Sequence, residues 1–97
     1  MIKKNVKVKN REGLHGRPVN FLNICAGCFA SSIFIEKNER RANAKSLMGV
    51  LSLSVMGGEE VLLIADGVDE QEAAQKIEQL ICSGFSDEDL IDEIRSR

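Results

Sequence analysis

The sequence predicts an α+β fold: an open-faced β-sandwich with elements in the order β-α-β-β-α-β-α, followed by a short C-terminal tail helix. Three observations carry this prediction. Alternating or β-branched stretches are interleaved with stretches whose apolar residues recur at helical spacing. The strands are not joined by crossovers of one uniform type, as a wholly parallel sheet requires. The helices must therefore share one side of the sheet and leave the other open.

The elements follow in order. In residues 2–9, Ile2, Val6 and Val8 share one parity with lysines between them, the pattern of a half-buried strand. After the loop "NREGLH", Val19, Leu22, Cys25/Ala26 and Phe29 recur at helical spacing, and Pro18 suits a first helical turn because its missing N–H has no partner to lose there. Gly27 is a weak point, about 1 kcal/mol worse than Ala in a helix interior. Residues 32–37 read as a strand, Asn38 and Glu39 as a tight turn, and residues 40–44 as a short returning strand, so a hairpin is expected. Ser46 is a natural N-cap for a helix of about two turns. The stretch "MGGEE" breaks the chain before "EVLLIADG", the most apolar strand, expected at the sheet centre. Asp69 and Glu72 form a capping box for a helix with Ala73, Ile77, Leu80 and Ile81 facing inward and Gly84 as its stop. Ser86 with Asp89 is a second capping box, and Leu90, Ile91 and Ile94 make a narrow stripe. Residues 1–84 are thus expected to form one domain, with 85–97 as its tail.

Composition narrows the function. The chain has 97 residues, a net charge of −2, no Trp or Tyr and four scattered Phe, which argues against nucleic-acid binding. Lys3, Lys4, Lys7, Lys9 and Arg11 cluster early and read as solvated faces rather than a binding patch. The longest apolar run, "VLLIA", falls well short of the about 20 residues of a membrane span. No apolar signal-peptide core is present, and three cysteines fit reduced thiols, so a cytoplasmic protein is expected. Cys25 and Cys28 form an isolated C-x-x-C that reads as two small hydrophobes rather than a redox or metal pair, and Cys82 is distant. No metal or cofactor is expected.

The one histidine and the one proline stand together in "REGLHGRP", residues 11–18. His15 falls just before a helix, where unpaired N–H groups and the positive end of the macrodipole favour an anion. Arg17 adds a guanidinium suited to phosphate oxygens. Gly13 and Gly16 permit close backbone approach. Neutral imidazole is a nucleophile near pH 7. These residues describe an imidazole able to accept a phosphoryl group and hold the resulting anion. No P-loop pattern is present, so the donor must come from a partner rather than a bound nucleotide.

"GLHGRPV", followed some thirty residues on by "NAKSLMGVLSLSV", resembles the HPr family of histidine-containing phosphocarriers of the bacterial sugar phosphotransferase system; the resemblance covers about residues 2–82. It implies four antiparallel strands with three helices on one face. It implies a carrier rather than an enzyme. It implies that His15 is phosphorylated by enzyme I at the expense of phosphoenolpyruvate, that Arg17 stabilises the phosphate together with Gly16 and Pro18, and that the group passes to a sugar-specific enzyme IIA. Ser46 resembles a regulatory serine, with a serine kinase/phosphorylase and a catabolite-control regulator as further partners. An HPr-like regulatory paralogue acting by Ser46 phosphorylation and transcription-regulator binding is the alternative. Partners are expected to dock on Asn20, Ile24, Leu47, Met48 and Leu51, the last three sharing one patch of their helix while Val50 and Leu53 face the core; the protein is expected to be a monomer. Two departures stand out. Gly16 occupies a position where Ala, Thr or Ser is common and is expected to loosen the turn. Residues 18–36 contain no Lys or Arg, where many members carry basic residues, and Asn20, Asn23 and Ile24 hold much of that surface.

Overall fold

The computed structural model describes residues 1–86. Seven elements occur in the expected order: β1 (Ile2–Lys7), α1 (Arg17–Gly27), β2 (Ser32–Lys37), β3 (Arg40–Asn43), α2 (Leu47–Ser52), β4 (Glu60–Asp66) and α3 (Glu70–Cys82). The four strands form one antiparallel sheet in the order β1-β4-β2-β3. The last strand in the chain is thus inserted between the first two. β1 and β2 run parallel to each other with β4 between them, and α1 makes the crossover.

Strand alternation sorts the side chains. Val6, Val61, Leu63, Ala65, Ile33, Ile35 and Ala42 are buried on one face and join Val19, Leu22, Ala26, Val50, Ala73, Ile77, Leu80 and Ile81 in a single core. The register explains this: Val6 faces Val61 and Ile35 faces both Leu63 and Ala42. The opposite face carries Lys3, Asn5, Lys7 and Arg41. Arg41 lies over the Phe34 ring at 5.5 Å and pairs with Glu36 at 3.3 Å. β4 is apolar on both faces because it is central: Ile64 is buried between Lys3 of β1 and Phe34 of β2. Asn38 and Glu39 both have positive φ, 51° and 64°, as a two-residue hairpin turn matched to strand twist requires.

One expectation fails at α3. Asp69 is its N-cap, but its side chain makes no capping bond and no box forms with Glu72. The carboxylate instead accepts from the amides of Ala30 and Ser31, 2.9 Å each, and from the Ser31 hydroxyl. Ser31 is buried, and its loop amides would otherwise have no acceptor there. The Ser31 bond, followed by the Ala30 amide, holds the Asp69 carboxyl below its ordinary range. Glu70 takes over at the helix start, accepting from the Gly67 amide and pairing with the Met1 amine at 2.9 Å. Gly84, at φ 70°, ends the helix as read, and Phe85 then returns to the core. The tail helix and its Ser86/Asp89 box fall beyond residue 86, outside the described residues.

Candidate phosphoacceptor site

The residues singled out around His15 meet where the β1–α1 loop enters α1. Gly16 is the N-cap, Arg17 and Pro18 open the helix, and no side chain caps it. The amides of Gly16, Arg17 and Val19 precede the first helical acceptor, and Pro18 carries none, so three N–H groups converge at this end. Asn20 closes the first turn, donating its amide to the Gly16 carbonyl at 3.3 Å. His15 is half-buried, while Gly16 and Arg17 are exposed and Pro18 is buried. No acidic side chain stands in the first turn, and no ion pair among the described residues engages Arg17. The site therefore joins a nucleophilic ring, the open positive end of an 11-residue helix and a guanidinium with no ion pair among the described residues.

Local structure anchors the backbone that leads to His15. Leu14 is fully buried and donates its amide to the Val55 carbonyl at 2.9 Å, anchoring the backbone one residue before His15. The Asn10 side-chain amide donates to the Gly13 carbonyl at 2.7 Å and closes the loop. Gly13, at φ 68°, lies so close to the 55–56 segment that a Cβ would stand 2.7 Å from the Met56 Cα. Its lack of a side chain is required by the close packing of this segment. Behind it, the Glu59 carboxylate accepts from Lys37 Nζ at 2.9 Å and from the Met56 amide at 2.7 Å. The Lys37 bond, with the Met56 amide second, draws the Glu59 carboxyl below its usual range.

Gly16 overturns another expectation. Its φ of 57° and ψ of −128° lie where L-residues are strained. Glycine does not loosen this turn; it is the residue that adopts the turn without strain.

The remaining predicted positions lie on α1 and α2. Ser46 caps α2, its hydroxyl accepting from the Gly49 amide at 3.1 Å. Ile24, Leu47 and Met48 are exposed, at 45%, 43% and 74%, as is Asn20. Val50 and Leu53 are buried, as expected. Leu51 is only half exposed and packs on the core, because i+4 from Leu47 falls near the edge of so short a helix. Asn23 also turns inward, its amide donating to the Ala44 carbonyl at 2.7 Å and tying α1 to the segment before α2. Cys25 is buried, Cys28 is half-buried with its thiol donating to the Ile24 carbonyl, and Cys82 is exposed. Among the described residues no group of three His, Cys, Asp or Glu is placed to hold a metal ion, and no helix is long and apolar enough to cross a membrane. Met56, not singled out in the sequence, is exposed at 54%, and its backbone lies beside Gly13. Nothing local marks it, since its position depends on the packing of two loops distant in sequence.

Fold and site together define a small open-faced α+β sandwich with an imidazole at a helix N-terminus that no side chain caps. Residues 2–83 match the family described as "PTS HPr component phosphorylation site". The HPr-like protein Crh of Bacillus subtilis is 46% identical over 77 residues, covering 79% of this chain and 91% of Crh. The phosphocarrier protein HPr of Treponema pallidum is 39% identical over 88 residues, covering 91% of this chain and all of that protein. Among solved structures, HPr-C-His from Thermoanaerobacter tengcongensis superposes with a TM-score of 0.87 at 41% identity, covering 90% of this chain and 98% of that one. A crystal structure of B. subtilis Crh, described as a swapped dimer, gives 0.70 at 42% identity, covering 87% and 97%. The chain belongs to the HPr family of phosphocarrier proteins of the sugar phosphotransferase system.

Proposed function

We propose that this chain relays a phosphoryl group in bacterial sugar uptake, taking it from phospho-enzyme I, originally from phosphoenolpyruvate, and passing it through His15 to a sugar-specific enzyme IIA. The observation that carries this reading is the half-buried His15 beside a helix N-terminus without a side-chain cap and an Arg17 that has no ion pair among the described residues. An imidazole nitrogen attacks the phosphorus of the donor's phosphohistidine, the bond to the donor ring breaks, and the donor nitrogen keeps the electron pair. The dianion on His15 then meets the Gly16, Arg17 and Val19 amides and the Arg17 guanidinium, which partly neutralise it. The second transfer is the same exchange in reverse sense, with His15 as leaving group. Ile24, Leu47 and Met48 form the apolar part of the docking surface, and an exposed Met adapts to several partners in turn. The carrier unit is residues 1–84, acting as a monomer in the cytoplasm without metal or cofactor.

The test is incubation with purified enzyme I and phosphoenolpyruvate. An acid-labile phosphate is expected on His15, and a His15→Ala variant that labels equally would end the reading.

A second reading has its own support. Crh proteins at 46% and 44% identity stand among the relatives, and α1 lacks basic residues over 18–36. On this reading the output is phosphorylation of Ser46 by a serine kinase/phosphorylase and docking of a catabolite-control regulator. Phosphoserine adds about −1.5 to −2 charges at pH 7. Retention of His15 with Arg17 favours the relay, since a purely regulatory chain needs neither. Kinase labelling of Ser46 with no transfer from any enzyme I selects the regulatory reading.

A further inference from the structure

We infer that the cationic part of the partner-docking surface lies on the β1–α1 loop, at Lys9 and Arg11 with exposed Met56 beside them, rather than along α1. This rests on the relay reading and names the surface that an acidic-faced phosphoryl donor uses. α1 offers such a donor no positive charge after Arg17, because residues 18–36 hold neither Lys nor Arg. The loop that carries His15 does offer it. Lys9 and Arg11 are exposed, and no ion pair among the described residues engages either, whereas Lys4, Lys37 and Arg41 are each paired with a glutamate.

The fold fixes these cations near the reactive ring. The Arg11 backbone is pinned against Gly57, whose Cβ position would fall 2.7 Å from the Arg11 carbonyl oxygen. Gly13 is pinned in the same way against Met56, and Leu14 is bonded to Val55. The 9–14 and 55–58 segments are therefore interlocked. They present Lys9, Arg11 and Met56 at the foot of the short run that ends in His15 and Arg17. Lys9 and Arg11, without an ion pair among the described residues and outnumbering the exposed Glu12 of the same loop, stand on a segment packed against that of the exposed Met56, a surface complementary to carboxylates surrounding an apolar contact. The chain as a whole is acidic, so this local field steers a donor toward one end of the molecule instead of attracting anions generally.

The experiment is phosphoryl transfer from enzyme I with the full chain carrying Lys9→Glu and Arg11→Glu, compared with Lys3→Glu and Lys7→Glu on the open sheet face. Both pairs change net charge equally. The Lys9/Arg11 reversal is expected to raise the KM for enzyme I about tenfold, flatten its salt dependence and leave kcat unchanged. The Lys3/Lys7 pair is expected to change KM far less. Equal effects of the two pairs, or none from Lys9/Arg11, overturn the inference. Titration of isotope-labelled chain with unphosphorylated enzyme I provides a readout independent of transfer. Perturbed amides at Lys9, Arg11, Met56 and Gly57 support the inference even if His15 takes no phosphate, an outcome that would sink the relay reading alone. Perturbations confined to α1 and α2, or no binding at all, overturn it.

Discussion

Replacing Gly16 and Gly27 by alanine in turn makes one chemical change at the two ends of the same helix, with opposite predicted signs. At Gly16 the φ/ψ pair of 57° and −128° is strained for any residue with a Cβ. The space around the new methyl is empty, with nothing within 4 Å, so no clash or repacking enters. The cost is conformational, about 1–3 kcal/mol for a non-glycine residue held in a sparsely populated region. Alanine also stiffens the unfolded chain, which offsets about 0.4–1 kcal/mol. The net loss is about 1 kcal/mol or somewhat more, and each 1 kcal/mol lowers the midpoint of a domain this size by about 4–8 °C. Gly27 ends α1 without positive φ and also has nothing within 4 Å. Alanine there gains helix propensity, about 0.5–1 kcal/mol. Thermal unfolding followed by circular dichroism, with denaturant titration as a check, reads both. A Gly16→Ala protein as stable as the parent would refute the assignment of this backbone conformation, and a Gly27→Ala protein less stable than Gly16→Ala would refute the argument altogether.

Three further outcomes are expected. Gly13→Ala should destabilise by more than Gly16→Ala, about 3 kcal/mol or an outright failure to fold, because strain at φ 68° is joined by collision with the Val55–Met56 backbone; denaturant midpoints of the two variants decide it. Ser46→Ala should cost about 1 kcal/mol by losing the bond from the Gly49 amide, whereas Ser46→Asp should keep the cap and lose little; equal losses in unfolding titrations would show that the cap contributes nothing. Asp69, whose carboxyl is held below its ordinary value by Ser31 and Ala30, contributes stability that is present above the unfolded-state carboxylate pKa and is lost as pH falls through the folded value. Asp69→Asn should therefore flatten the acid limb of the stability–pH curve, and an unchanged limb would remove Asp69 from that account.

Much of this protein is legible from local pattern. The 2-residue alternation of residues 2–9, the helical spacing of Val19, Leu22 and Ala26, the turn at Asn38–Glu39 and the Ser46 cap all depend on interactions within a few residues, so the linear order contains them. The acceptor site is legible for the same reason: His15, Gly16, Arg17 and Pro18 are adjacent in sequence, and a helix start assembles its amides from consecutive residues. What depends on distant partners is not. Asp69 has every local mark of a cap, yet its carboxylate turns to loop amides 38 and 39 residues away. Asn23 reads as a surface residue and instead holds Ala44.

By itself, then, the sequence determined the elements, their inward faces and the reactive cluster at the head of α1, because each arises from short-range backbone geometry and the burial of apolar stripes. Only the tertiary structure decided that β4 inserts between β1 and β2, that Gly13 is needed for the 55–56 segment, and that the Arg11 backbone packs against Gly57. Those outcomes follow from strand pairing and loop interlock between residues 26 to 63 apart, for which no short window of residues carries a signal.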